Sequence, residues 1–394
     1  MRASYGILMS ALCLVLTGCG GTATTSTTGS SGNNTVLGDC GNAENGSGTG
    51  IVDYVKVYQS SLTEWCVDRN VWASDSQDIS KFFGYGDAAL TQLQSFFPAP
   101  PPSQPFIIEV KSPYGGASTG CDFSGGSYCD SVTGDAYYNV YDDPVTNTPI
   151  PGFWGYLLTL HEAINVYTGL ISGGWPSDWW ADDRSPFPNA MDYEILQTLG
   201  SEQNNATLLA AATAQRDRFD NSAQNPSGYD PEVAMFVNFY DQFCQGSPCT
   251  GFPAYRRAFQ LVVADHVSWP SVSGDTSYTG DNDYSAQLSE YVIAYLQLGF
   301  GTTTDLTQTF VNSGVGSEDT AIPAYTVDPS AVLAIADARC SLAAATAAGV
   351  NTSAAWSNFL HGDYQNAVVT GGTQQSCPAS CAWNSSAGQC DAPW

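Results

Sequence analysis

Apolar and polar positions alternate along this chain with two different periods. Residues 87–97 (DAALTQLQSFF) repeat at helical spacing and stop at a proline run, PAPPP, which predicts a helix ending near residue 97. Residues 105–110 (PFIIEV) form a short apolar run of the kind found in buried strands. Residues 121–143 are loop-rich and acidic, with DAYYNVYDD as a second strand candidate. Residues 152–172 (GFWGYLLTLHEAINVYTGLIS) predict a buried helix, and a tryptophan-rich turn is expected over 173–196. Beyond residue 201 the pattern becomes helical almost throughout. Helices are expected over 205–219, 231–243, 253–267, 285–300, 328–349 and 353–364, supported by their Ala and Leu content. The expected fold class is therefore α+β: a small mixed sheet and a buried helix in an N-terminal lobe, then a mostly α C-terminal lobe.

Composition changes what such a fold can do. Of 394 residues, 11 are basic and 38 acidic, for a formal net charge of −27. A surface this acidic repels phosphate backbones and anionic lipid, so nucleic acid is excluded as a partner. Disorder is excluded as well, because 43% hydrophobic and 12% aromatic residues supply a sizeable core. Only three His are present, so any imidazole chemistry draws on a short list.

The N-terminus sets a compartment. Arg2 precedes an apolar stretch too short for a good membrane span, and Leu16-Thr17-Gly18-Cys19 resembles the bacterial lipobox. The resemblance implies removal of residues 1–18 and lipidation of Cys19. It points to an exported chain, lipid-anchored to the bacterial envelope at the outer membrane or cell surface, and touching membrane only through that anchor. An ordinary secretory signal is the alternative. Residues 19–50 are rich in Gly, Ser, Thr and Asn and predict a flexible tether. The expected organisation is then 51–200 for the α+β lobe, 201–372 for the helical lobe and 373–394 for a disulfide-pinned tail.

Twelve cysteines fit an oxidising compartment. Apart from Cys13 and Cys19, ten remain: Cys40, Cys66, Cys121, Cys129, Cys244, Cys249, Cys340, Cys377, Cys381 and Cys390. An even count in an exported chain argues for disulfides. Local bridges 40–66, 121–129 and 244–249 are favoured, with the last four cysteines sharing two more in an open pairing.

The candidate chemistry lies in the 152–172 helix. His161 and Asn165 are four residues apart, on one helical face, with Glu162 beside His161. Asp178 and Asp182 repeat the four-residue spacing downstream. In order and spacing, residues 80–270 resemble the thermolysin-like zinc metallopeptidases, the gluzincins, with H-E-x-x-N in place of H-E-x-x-H. The resemblance implies metal ligation by His161, Asn165 and Asp178, Glu162 as general base, and Asp182 orienting His161. His266 or Tyr193 is the candidate for stabilising the oxyanion. The departure at Asn165 matters, because a neutral amide oxygen is a poor partner for zinc. Zinc is the cofactor implied, held with the help of another residue such as His266 or His361; calcium or manganese suits the harder donor set, and a third possibility is a retained fold with catalysis lost.

Plainer readings stand beside these. His161 is also compatible with a buried imidazole satisfied within its helix, and Asp178, Asp182 and Asp183 with solvated acids. Trp175, Trp179 and Trp180 serve either as core or as a platform for a glycan or peptide. His266 and His361 each close a predicted helix, where a cation is favoured. Arg256 and Arg257 read as a solvated helix face or as a grip for a substrate carboxylate. Acid groups around 130–143 and 275–283 are loops or calcium sites. The function expected is an exported metal-dependent, peptidase-like hydrolase acting on a peptide. The alternatives are an inactive pseudopeptidase or glycan- or peptide-binding lipoprotein, and a carboxylate-pair glycan hydrolase working through Asp178 and Asp182.

Overall fold

A computed structural model describes residues 35–40, 53–80, 83–97, 105–110, 117–120, 131–134, 164, 167, 186–206, 208–210, 212–213, 216, 231–243, 253–267, 286–313 and 327–394. These residues combine helices with a mixed sheet, in keeping with an α+β class.

The sheet has six strands in the order β1-β2-β3-β4-β6-β5. Strands β1 (Gly38–Asp39), β2 (Tyr54–Gln59) and β3 (Thr63–Asp68) form an antiparallel meander. Strands β4 (Phe106–Val110) and β6 (Ser131–Gly134) then add in parallel, and β5 (Ala117–Gly120) closes the far edge antiparallel to β6. The parallel β3–β4 pair needs a long crossover, supplied by α1 (Arg69–Ile79) and α2 (Phe83–Phe96). Strand β4 falls where the apolar run predicts it, and α2 begins one turn before the expected start. The strand candidate at 136–143 lies outside the described residues.

The β2–β3 turn is tied to α2 through one carboxylate. Asp87 accepts from the hydroxyls of Tyr58 (2.6 Å), Ser60 (2.9 Å) and Thr63 (2.7 Å). Thr63 Oγ1 in turn accepts from Trp65 Nε1 at 3.2 Å, under a fully buried indole. Burial and the Asp87 bond push the Tyr58 hydroxyl pKa up to about 12.

Residues 35–40, inside the stretch 19–50 expected to be a flexible tether, instead join this meander. Leu37 N donates to Lys56 O, and Cys40 is bonded to Cys66 on β3 with a Cα–Cα separation of 5.8 Å.

The segment expected to be a turn over 173–196 differs in its second half. Residues Pro186–Glu202 form a helix, α3. The two prolines misled the pattern. Pro is well placed in a first helical turn, where the missing N–H has no partner in any case. Phe187, Ala190, Met191, Ile195, Leu196 and Leu199 are all buried, as in a helix enclosed on every side.

Helices α4 (Pro231–Phe243), α5 (Pro253–Ala264), α6 (Ala286–Phe300), α8 (Pro329–Ala347) and α9 (Ser353–Leu360) follow the predicted pattern. The short α7 (Thr307–Ser313) was not foreseen. Aromatic side chains bind these elements into one continuous core: Phe96 of α2 meets Phe259 of α5 at 5.3 Å, and Phe187 of α3 meets Phe236 of α4 at 5.6 Å. At the α5–α6 crossing, a Cβ on Gly299 would lie 2.5 Å from Ala258, so only glycine admits this approach.

Helix α8 is apolar and long enough to cross a membrane. It is instead a core helix, buried along Val332, Ile335, Ala336 and Leu342. Asp328 caps its start by accepting from Ser330 N at 2.9 Å, with Pro329 in the first turn. The tail folds back on α8 as a hairpin of β7 (Ala382–Asn384) and β8 (Gln389–Asp391). Bridges Cys340–Cys381 and Cys377–Cys390 hold it, and Ala392 N donates to Asp337 at 2.7 Å.

Candidate functional site

The motif residues His161, Glu162, Asn165, Asp178 and Asp182 lie outside the described residues, as do Cys19, Cys121, Cys129, Cys244, Cys249, the three turn tryptophans and the acids of both acidic loops. Two positions inside the predicted motif helix are described. Ile164 and Tyr167 are helical and fully buried. The Tyr167 ring stacks on Phe97, with centroids 5.6 Å apart and planes 7° from parallel. Burial raises its hydroxyl pKa to about 12 against the pull of a Gln94 hydrogen bond.

Tyr193, one of the two oxyanion candidates, lies on α3 and is buried. Its hydroxyl oxygen accepts from Arg216 Nη1 at 3.2 Å, which leaves the hydroxyl proton free to donate. The same guanidinium sits 5.8 Å from the centre of the Tyr193 ring and 2.6 Å from Asp241 of α4. Burial first, then the charges of Glu194 and Asp241, raise the Tyr193 pKa to about 12, while Arg216 opposes them.

Glu194, the next residue, was not singled out by sequence reasoning. It is 1% exposed, and neither carboxylate oxygen meets a donor at full hydrogen-bond geometry, although the Tyr240 hydroxyl is close enough to favour its charged form. Burial, reinforced by Asp241, holds its pKa well above the usual carboxylate range. The one available signal was an acid set inside an apolar run, AMDYEIL.

The remaining candidates fall at helix ends. His266 follows α5 in a left-handed conformation (φ 54°), and its backbone N–H donates to Val263 O. His361 ends α9, with Nδ1 2.6 Å from Ser357 O. Arg257 reaches across to α6, where Nε donates to Gly299 O at 2.8 Å. That contact meets the orphan carbonyls of a helix C-terminus. Arg256 is exposed.

One group of metal-ligand type is present among the described residues: Cys40, Glu64 and Cys66. The two sulfurs are bonded to each other, and Glu64 pairs with Lys56 at 2.7 Å. The trio therefore offers no thiolate to a cation.

Comparison with known proteins adds no relative: no family model, no curated protein and no solved structure matches the chain.

Proposed function

We propose that this chain is an exported metal-dependent hydrolase of peptidase type, anchored to the bacterial envelope through lipid on Cys19. His161, Asn165 and Asp178 would hold the cation, with zinc the first candidate and calcium or manganese suited to the harder donors. The bound cation would polarise the scissile carbonyl. Glu162 takes the proton of the attacking water and returns it to the leaving amine. Asp182 orients His161, and the Tyr193 hydroxyl is a candidate donor to the developing oxyanion.

The observation carrying this reading is the H-E-x-x-N sequence in a stretch whose described members, Ile164 and Tyr167, are helical and buried. Polar residues set in so apolar a stretch of sequence demand a partner or a ligand.

Metal analysis of the purified mature protein tests the proposal, together with peptide hydrolysis by the wild type and Glu162→Gln. Bound metal, with hydrolysis lost in the variant, supports it. Metal-free protein that gains no hydrolysis from zinc, calcium or manganese overturns it in favour of a pseudopeptidase or binding protein. Glycan cleavage that survives Glu162→Gln but not loss of Asp178 or Asp182 also overturns it, and identifies a glycan hydrolase.

A further inference from the structure

Helix α3 carries three buried acceptor atoms that no donor meets at full hydrogen-bond geometry. They are both oxygens of Glu194 and Oε1 of Gln197. The two residues are three apart, so their side chains rise from neighbouring points on one helical face. An ionised carboxylate without partners is among the costliest groups a core can hold.

The surroundings do not lift that cost. Tyr240 and Asp241 of α4, Tyr255 of α5, Arg216 and the adjacent Tyr193 surround Glu194 electrostatically. Arg216 is already engaged by Asp241 and Tyr193. The Tyr255 hydroxyl donates to Phe236 O at 2.7 Å. Helix α2 meets α3 at its far end, where Gln92 donates to Glu202 at 2.9 Å. Asp241 adds repulsion to the burial penalty, while Arg216 and the Tyr240 hydroxyl oppose it only in part.

We propose that Glu194 is a proton-binding site: a carboxylic acid in the folded protein at neutral pH, whose O–H serves the Gln197 amide oxygen and whose ionisation loosens the packing of α3 on α4. A neutral acid is a donor as well as an acceptor, so one proton removes the buried charge and supplies the missing donor together. In the unfolded chain the same group ionises near an ordinary value of about 4.3. Above that pH the folded state holds one proton more than the unfolded state. The stabilisation is therefore complete below the ordinary value and declines as pH rises towards the folded-state value. Within that window the unfolding equilibrium constant grows about tenfold per pH unit from this group alone. The inference is independent of any metal at the H-E-x-x-N motif.

Two measurements on the full chain test it. Infrared spectra at neutral pH are expected to show a protonated-carboxyl carbonyl band that is reduced in Glu194→Gln; burial also raises the pKa of Glu290 and Asp337, so the difference between wild type and variant is the quantity read. Denaturant unfolding across neutral to alkaline pH is expected to show a steeper loss of stability in the wild type than in the variant. An undiminished band, or parallel pH profiles, overturns the proposal. If the Gln variant does not fold, the apolar Glu194→Met serves in its place. The wild type also decides by itself, since absence of any protonated-carboxyl band at neutral pH overturns the proposal.

Discussion

Arg339 of α8 grips Asp265, just beyond the end of α5, with two nitrogens: Nε–Oδ2 is 2.7 Å and Nη2–Oδ1 is 3.1 Å. Both side chains are almost wholly buried. Tyr295 of α6 donates to the same carboxylate at 2.8 Å, and Arg339 Nη1 reaches Ser380 of the tail at 3.3 Å. The pair thus joins three helices and the tail at one point. Arg339→Met is expected to cost about 3–5 kcal/mol, because it leaves Asp265 buried and unpaired. Adding Asp265→Leu should recover much of that loss. Urea unfolding of the wild type, both single variants and the double variant measures the coupling.

The α5–α6 crossing makes a second prediction. Gly299→Ala gains helix propensity of about 1 kcal/mol but forces a methyl into Ala258. Overpacking of this kind typically costs about 1–3 kcal/mol, and the backbone nitrogen of Ala258 is among the atoms struck. A net loss of stability is expected, partly restored by Ala258→Gly, with thermal melts as the readout.

Asp87→Ala withdraws the acceptor from three hydroxyls at once. A hydrogen bond to a charged group contributes about 1.5–3 kcal/mol, so a loss of at least that size is expected. The Tyr58 hydroxyl should also titrate at lower pH in the variant, since the Asp87 bond and charge both raise its pKa. Ultraviolet titration of tyrosinate would detect the change.

Asn165→His replaces the weakest donor of the proposed metal set by an imidazole. Tighter zinc binding, measured by chelator competition, is the expected outcome. Unchanged affinity would mean that residues 161 and 165 do not share a cation.

Period alone placed the later helices because their large apolar residues recur at helical spacing. Val233, Phe236, Val237 and Tyr240 of α4 recur at three- and four-residue spacing and all are buried. The bridge from Cys40 to Cys66 was legible too, since nearby cysteines in an exported chain tend to pair. The pairing of Cys340 with Cys381 was not, because it depends on how the hairpin folds onto α8. Helix α3 was misread because turn-forming residues and a legitimate first helical turn share the same prolines. Glu194 was invisible for another reason. Its burial is imposed by Tyr240 and Tyr255, which arrive from helices more than forty residues away in the chain. Sequence reports that an acid is present, not whether water reaches it.

The bridge between Cys340 and Cys381 closes a covalent loop spanning 41 positions, and α9 lies inside it. A protease that severs the backbone anywhere within that loop therefore releases nothing. The two pieces stay attached, and the nicked chain migrates as one species until a thiol reductant parts it. Scission of this stretch would leave the tail still fastened to α8, so damage there leaves the fold held together by its own sulfur.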